Sequence, residues 1–169
     1  KLHSLVKEVT ASYEDYEPTK AARAIEEFVV EHLSNWYVRL CRRRFWGNEL
    51  SKDKKAAFET LHECLVIVVQ LMSPIAPFFS DWLYQSLLST KNSIHLSTLV
   101  IADEKLIDLQ LEQRMSWAQE ISSLVLSLRK KTKIKVRQPL QKILIPAIDN
   151  SFIAQIDKVK ELILAEVNV

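Results

Sequence analysis

Glycine is almost missing from this sequence. Gly47 is the single one in 169 residues, where average usage near 7% would supply roughly a dozen. A phosphate-cradling P-loop, a G-x-G-x-x-G dinucleotide turn and a G-x-S-x-G nucleophile elbow each need at least two glycines, so none can be built here. A fold of many tight hairpins is disfavoured for the same reason, because such turns draw on glycine at positive φ. Cysteine is nearly as scarce. Cys41 and Cys64 stand 23 positions apart, which gives neither a disulfide framework nor a Cys-x-x-Cys zinc site. Both fall in helical pattern and suit small buried hydrophobes in a reducing cytosol. A membrane span is lacking too. The longest uncharged run, Cys64 to Ser80, is broken by Pro74 and Pro77 and interrupted by Gln70 and Ser73, so it predicts a buried helix followed by a turn. No signal peptide opens the sequence. It starts at Lys1 inside an apolar-periodic run and stops at Glu166-Val-Asn-Val169 without a terminating signal, the pattern expected of a piece of a longer polypeptide.

What is present is charge, sorted by region. The formal net charge is only +2. Yet between His32 and Asn48 there are four Arg and no acid, and between Ile121 and Ile148 seven Lys or Arg and no acid. Those windows take eleven of the 23 bases, leaving 12 bases against 21 acids elsewhere. Such segregation predicts two cationic surfaces for a polyanion, with an acidic remainder that limits indiscriminate binding.

Apolar periodicity predicts a mostly α chain. Leu2, Leu5, Val6, Val9 and Tyr13 mark a first helix, and Pro18 can open a second, because its missing N–H costs nothing in the first turn. The second helix is predicted from about Thr19 to Trp46, closed by Gly47-Asn48. Ser51 or Asp53 caps a third through Met72, which Ser73-Pro74 ends. A fourth follows Pro77. A polar loop from Ser89 to about Asp103 contains the extended-looking Ser93-Ile-His-Leu96, and a fifth helix is predicted from about Glu104 to Lys131. Beyond it, Lys133-Ile-Lys-Val-Arg137 alternates at period 2 and Lys142-Ile-Leu-Ile-Pro146 has the form of a short buried strand. Asp149-Asn150 caps a last helix, and Val167-Asn-Val169 resembles the opening of another strand. The expected organisation is an antiparallel helical bundle over 1–131 and a small, incomplete α/β segment over 132–169.

Two constellations carry candidate chemistry. In the second helix, Val29, Leu33, Trp36 and Leu40 form the apolar stripe at about 100° per residue. Asn35, Arg39, Arg42, Arg43 and Trp46 fall on a neighbouring stripe within about 100° of arc on the same geometry. Guanidinium groups pair with phosphate or a guanine edge, an indole stacks on a base, and an amide reads donor–acceptor edges, so this face suits unpaired nucleotides. Arg44 falls near the apolar stripe and is not counted. The bland reading is a solvated basic face with a core tryptophan at its end.

The second constellation is Arg129-Lys-Lys-Thr-Lys-Ile-Lys-Val-Arg-Gln138. Arg129, Lys130 and Lys131 suit the negative end of a helix dipole. Lys133, Lys135 and Arg137 have no such excuse. On one strand face they would be spaced about 6.6 Å apart, close to the phosphate repeat of a nucleic-acid strand.

Catalytic and metal chemistry find little support. Glu59-x-x-His62 has a di-iron spacing but lacks a second Glu-x-x-His. His62-Glu63 could open an H-E-x-x-H zinc motif, but Val66 occupies the second ligand position. His3, His32 and His95 have no ligand-spaced companions, and no Ser/His/Asp or Cys/His set is visible. No catalytic residue and no metal ligand is expected.

Tyr16-Glu-Pro-Thr-Lys-Ala-Ala-Arg-Ala-Ile25, Asn35-Trp-Tyr-Val-Arg39 and Arg42-Arg-Arg-Phe-Trp46 resemble the anticodon-binding region of the isoleucyl branch of the class I aminoacyl-tRNA synthetases. Ala76-Pro-Phe78, Ile94-His-Leu96 and Ile134-Lys-Val-Arg-Gln-Pro-Leu140 continue the resemblance in order over nearly the whole chain. At Leu40-Cys41 the sequence departs from relatives that often carry a basic or small polar residue. The resemblance implies a helical bundle that grips the anticodon loop, followed by a small α/β stem-contact piece. It implies an isoleucine-accepting tRNA as partner, with Asn35, Arg39, Arg42, Arg43 and Trp46 at the anticodon and Lys130, Lys131, Lys133, Lys135 and Arg137 on stem phosphates. The parent enzymes are cytoplasmic, ATP- and Mg-dependent ligases. Their catalytic signatures, a His-Ile-Gly-His type motif and a Lys-Met-Ser-Lys-Ser loop, are absent here, so catalytic and editing domains are expected in cis and no cofactor in this piece. Two rivals remain at the level of sequence: a helical protein-interaction module whose basic patches dock an acidic partner, and a metal-binding bundle enzyme.

Overall fold

The structure is a computed structural model that describes every residue except Asn48, Ala147 and Ile148. The described residues are mostly helical, and the chain gathers into two compact units, Lys1–Ile107 and Asp108–Val169.

The first unit opens with α1 (Leu2–Glu14) and α2 (Pro18–Glu27). Pro18 starts α2, where its fixed φ suits the first turn. The link is tight: Tyr16 takes φ 57, and Glu17 N donates to Ser12 O at 2.8 Å. The chain then winds as a π-helix over Phe28–Val38, breaks at Cys41, and resumes as the five-residue α3 (Arg42–Trp46). α4 (Lys52–Met72) is capped by Ser51, whose side chain accepts from Lys54 N. α5 (Pro77–Leu88) follows, and two 3-10 turns, Ile94–Leu96 and Glu104–Leu106, sit in the segment after it.

The core joins Leu5, Val6 and Val9 of α1, Ala21 and Ile25 of α2, Phe28 and Leu33 of the π-helix, and Cys64, Ile67, Val68 and Leu71 of α4. Burying each large aliphatic here contributes roughly 1.5–3 kcal/mol. Tyr13 Oη donates to Leu71 O at 2.7 Å, tying α1 to the end of α4. The segment after α5 is fastened back onto α1, where Asp103 N donates to His3 Nδ1 at 3.1 Å and Lys7 Nζ meets Glu104 Oε1 at 2.7 Å.

The second unit consists of α6 (Leu109–Lys131), α7 (Asn150–Asp157) and α8 (Lys160–Val167). Asp108 caps α6 and Asp149 caps α7 through side-chain acceptors. Trp117 meets Phe152 edge-on at 5.1 Å, and Arg114 Nε donates to Gln155 Oε1 at 2.8 Å. Ala118, Ile163 and Val167 are buried beneath. Within this unit α6 packs against α7 and α8.

Several sequence expectations are corrected. The helix predicted over 19–46 is three differently wound segments. Ser93–Leu96 is a 3-10 turn stabilised by Ser93 Oγ, not an extended piece. The fifth helix starts at Leu109, and the last helix divides at Lys158–Val159.

No strand is present among the described residues, so the α/β character expected for 132–169 is replaced by turns and helices. The reason lies in where the backbone groups bond. Lys133 takes φ 59, and the carbonyls of Lys135, Val136 and Gln138 are taken by the side chains of Arg129 and Asn168. A ladder needs a neighbouring strand to satisfy those groups, and none is at hand. Val167 ends α8, and Asn168 is its left-handed C-cap. Gly47 does close α3, but at φ −58 and ψ 147 it is extended and uses none of glycine's special freedom. The part expected of Asn48 in that stop lies outside the described residues.

Candidate nucleic-acid interface

The arginine-rich segment owes its shape to its winding. In an α-helix, buried positions recur every three or four residues. Here the buried residues are Phe28, Leu33, Trp36 and Cys41, and the five-residue step from Phe28 to Leu33 falls inside the π-helix, which is wound more widely than an α-helix. Val29 and Leu40, expected in the core stripe, are only half-buried. The single stripe drawn from Asn35 to Trp46 assumed α winding throughout. The π-helix and the break at Cys41 divide it into Asn35 and Arg39 before the break and Arg42, Arg43 and Trp46 after it. All five side chains are exposed.

α3 is too short to be stable alone, and it is held by what points inward. Phe45 packs on Phe58 of α4 at 4.9 Å and edge-on to Tyr37 at 6.3 Å. Tyr37 Oη in turn donates to Ala57 O at 3.1 Å. Arg44 bonds Asp53 through Nε at 2.8 Å and approaches Cys41 Sγ at 3.4 Å. The hydrogen bond that Arg44 donates to the Asp53 carboxylate is the main reason the Arg44 pKa rises. Lys54 Nζ holds Gly47 O at 2.6 Å beyond the helix end. With positions 44 and 45 anchored, 42, 43 and 46 face outward together, because i and i+4 neighbour one another on a helix. Trp46 is 81% exposed. Neither Arg42 nor Arg43 meets an acid among the described residues. Cys41 is buried and Leu40 half-buried, so neither position belongs to the outer face.

In the second unit, Lys130, Lys131, Lys133, Lys135 and Arg137 are all exposed. They do not share a strand face; α6 ends in a left-handed turn. Lys133 N donates to Lys130 O at 3.2 Å and Ile134 N to Arg129 O at 2.9 Å. This is the paired-bond helix stop in which glycine is the usual left-handed residue, and Lys133 occupies that position.

Comparison with known proteins gives the family. Residues 1–144 match the family described as the anticodon-binding domain of tRNA ligase. The chain belongs to this family. It is 55% identical to an isoleucine–tRNA ligase of Cytophaga hutchinsonii over 100% of this chain and 16% of that protein. It is 51% identical to one of Bacteroides fragilis over 99% of this chain and 15% of that protein. It is 41% identical to one of Thermus thermophilus over 87% of this chain and 15% of that protein. The chain thus spans about 15% of the length of these relatives.

The remaining candidates are soon placed. No group of three or more His, Cys, Asp or Glu that could hold a metal occurs among the described residues. His62 Nε2 lies 3.1 Å from Leu87 O, a contact between α4 and α5. Cys41 and Cys64 are free and buried, and burial pushes the Cys64 thiol up to about 11. No described helix is long and apolar enough to cross a membrane.

Sequence reasoning gave Arg129 only a dipole role. It is 2% exposed and binds four backbone carbonyls. A signal existed in hindsight: of the six bases in 129–137, it alone stands at helical spacing from Val125 and Ser122, on the face where Ser122 is buried.

Proposed function

We propose that this chain reads the anticodon stem–loop of isoleucine-accepting tRNA as part of an isoleucine–tRNA ligase. The observation that carries the reading is the division of labour within α3. Arg44 and Phe45 fasten the helix to α4, while Arg42, Arg43 and Trp46 stand outward on one face. Guanidinium groups and an indole held this way suit unpaired bases and their phosphates. Asn35 and Arg39 extend the contact on the preceding turns. Lys130, Lys131, Lys133, Lys135 and Arg137 meet stem phosphates, which position the RNA without specifying its sequence. The family and the names of the relatives support the same assignment. Aminoacylation and editing belong to other parts of the parent polypeptide, in the cytoplasm. The anticodon face contributes by placing the tRNA rigidly.

The test is titration of this chain with the isoleucine anticodon stem–loop, with the same stem closed by an unrelated loop, and with a polyglutamate peptide. Preference for the first RNA supports the reading. Equal binding of the two RNAs contradicts it, and preference for the peptide favours an acidic protein partner.

A further inference from the structure

We propose that Arg129 is the positioning residue of the basic turn that follows α6. This rests on the reading that Lys133, Lys135 and Arg137 meet RNA phosphates, and it names what aims them. Arg129 Nη1 donates to Lys135 O at 3.2 Å and Gln138 O at 2.9 Å, while Nη2 donates to Val167 O at 2.8 Å and Asn168 O at 3.0 Å. One buried guanidinium therefore joins the turn to the end of α8. Asn168 completes the tie: its Nδ2 donates to Val136 O at 2.9 Å, and its carbonyl accepts from Leu140 N at 3.2 Å.

The chemistry favours arginine here. A planar fork with five donors can face two pairs of carbonyls at once, which a lysine ammonium cannot. The last carbonyls of α8 carry the partial negative charge of a helix C-terminus, a fit partner for a buried cation. Outside this clamp stand three like charges on a short turn. Left loose, they would spread under mutual repulsion and lose side-chain and loop entropy on binding; held, that cost is met by folding. A second feature of the turn points the same way. Lys133 keeps a left-handed backbone at φ 59, a conformation disfavoured for any residue with a Cβ, which persists only where surrounding contacts such as the guanidinium bonds to Lys135 O and Gln138 O hold the turn.

The experiment is salt-dependent binding of the 169-residue chain to the isoleucine anticodon stem–loop, in which the slope of log K against log salt counts phosphates neutralised. Lys133→Ala with Lys135→Ala is expected to flatten the slope by about 1–2. Arg129→Met is expected to flatten it comparably and weaken binding about tenfold at low salt, although Arg129 touches no phosphate itself. Arg129→Lys does not restore the slope. Ile163→Val, a mild truncation in the same core, lowers the melting temperature but keeps the slope. An unchanged slope in Arg129→Met, or an equal flattening in Ile163→Val, overturns the proposal. Should Arg129→Met fail to fold, Asn168→Gly keeps the left-handed cap while removing the bond to Val136 O. It is expected to flatten the slope partly, and an unchanged slope overturns the proposal. If the double lysine variant leaves the slope unchanged, the phosphate reading fails, and this inference fails with it.

Discussion

Arg44 and Asp53 face one another across the junction of α3 and α4. Arg44 Nε lies 2.8 Å from Asp53 Oδ2 and Nη2 lies 2.8 Å from Oδ1, a two-pronged pair. Nη2 also donates to Asp53 O at 3.0 Å. One arginine of a run of three is thereby taken out of the exposed face of α3 and made part of its support. Arg44→Ala is expected to speed amide exchange across Arg42–Trp46 while leaving the α1–α4 core protected. Arg44→Lys is expected to rescue this poorly, since an ammonium cannot form the fork. Unchanged exchange in Arg44→Ala would show that Phe45 alone holds the helix.

Two tryptophans ten residues apart are expected to behave oppositely. Trp36 is 8% exposed and Trp46 is 81% exposed. Trp36→Ala should destabilise the first unit by about 3–5 kcal/mol, seen in urea unfolding. Trp46→Ala should stay within about 0.5 kcal/mol of the parent, yet lose the stacking of one base, about 1–3 kcal/mol of RNA affinity. A large stability loss from Trp46→Ala would contradict its place on the outer face.

The left-handed positions give a pair of glycine substitutions with a built-in contrast. Ser89, the C-cap of α5, has φ 50, and Lys133 has φ 59. Glycine relieves the Cβ strain at either position, for a net gain of up to about 1 kcal/mol after its own entropy cost. Both Ser89→Gly and Lys133→Gly should therefore melt higher in calorimetry. Only Lys133→Gly should bind RNA more weakly, because it removes the proposed phosphate contact.

His32 contributes to the acid side of stability. Burial, then the Lys1 charge, lowers its pKa against the opposing pull of Glu27 and Glu31. The unfolded chain therefore takes up the proton first, near the ordinary value of about 6.5. The stability tied to the neutral ring is present above that pH and falls away as pH drops through the lowered folded value. His32→Gln should flatten the fall in melting temperature below about pH 6.5. An acid limb of the same steepness in His32→Gln would refute the assignment.

The helices with clear periodicity were legible in sequence because their apolar spacing and their stops agree. Ser51, Pro18 and Asp149 all stand where a helix start was expected, since a capping oxygen or a proline is a local signal. The winding of Phe28–Val38 was not legible. α and π ladders use the same residue types, and the five-residue burial step shows only once the partners are known. The alternation in Lys133–Arg137 misled for a related reason: period 2 needs a partner strand to become structure, and here Arg129 and Asn168 take the carbonyls. The scarcity of glycine had a consequence that composition could not locate: positive φ falls on Tyr16, Ser89, Lys133 and Asn168 instead. Within the candidate site, the inward turn of Arg44 followed from its angular place, while the break at Cys41 left no local mark.

The central claim is that Arg42 and Arg43 on the outer face of α3 read the anticodon. The most direct measurement is the ratio of affinities for the isoleucine anticodon stem–loop and for the same stem carrying a non-cognate anticodon, compared between the parent chain and Arg42→Ala with Arg43→Ala. Each good base contact supplies about 1–3 kcal/mol of discrimination. The account predicts that the double substitution reduces the ratio by at least about tenfold on that scale, with the melting temperature preserved. An unchanged ratio, with affinity for both RNAs lowered equally, would contradict it and leave these arginines as phosphate contacts alone.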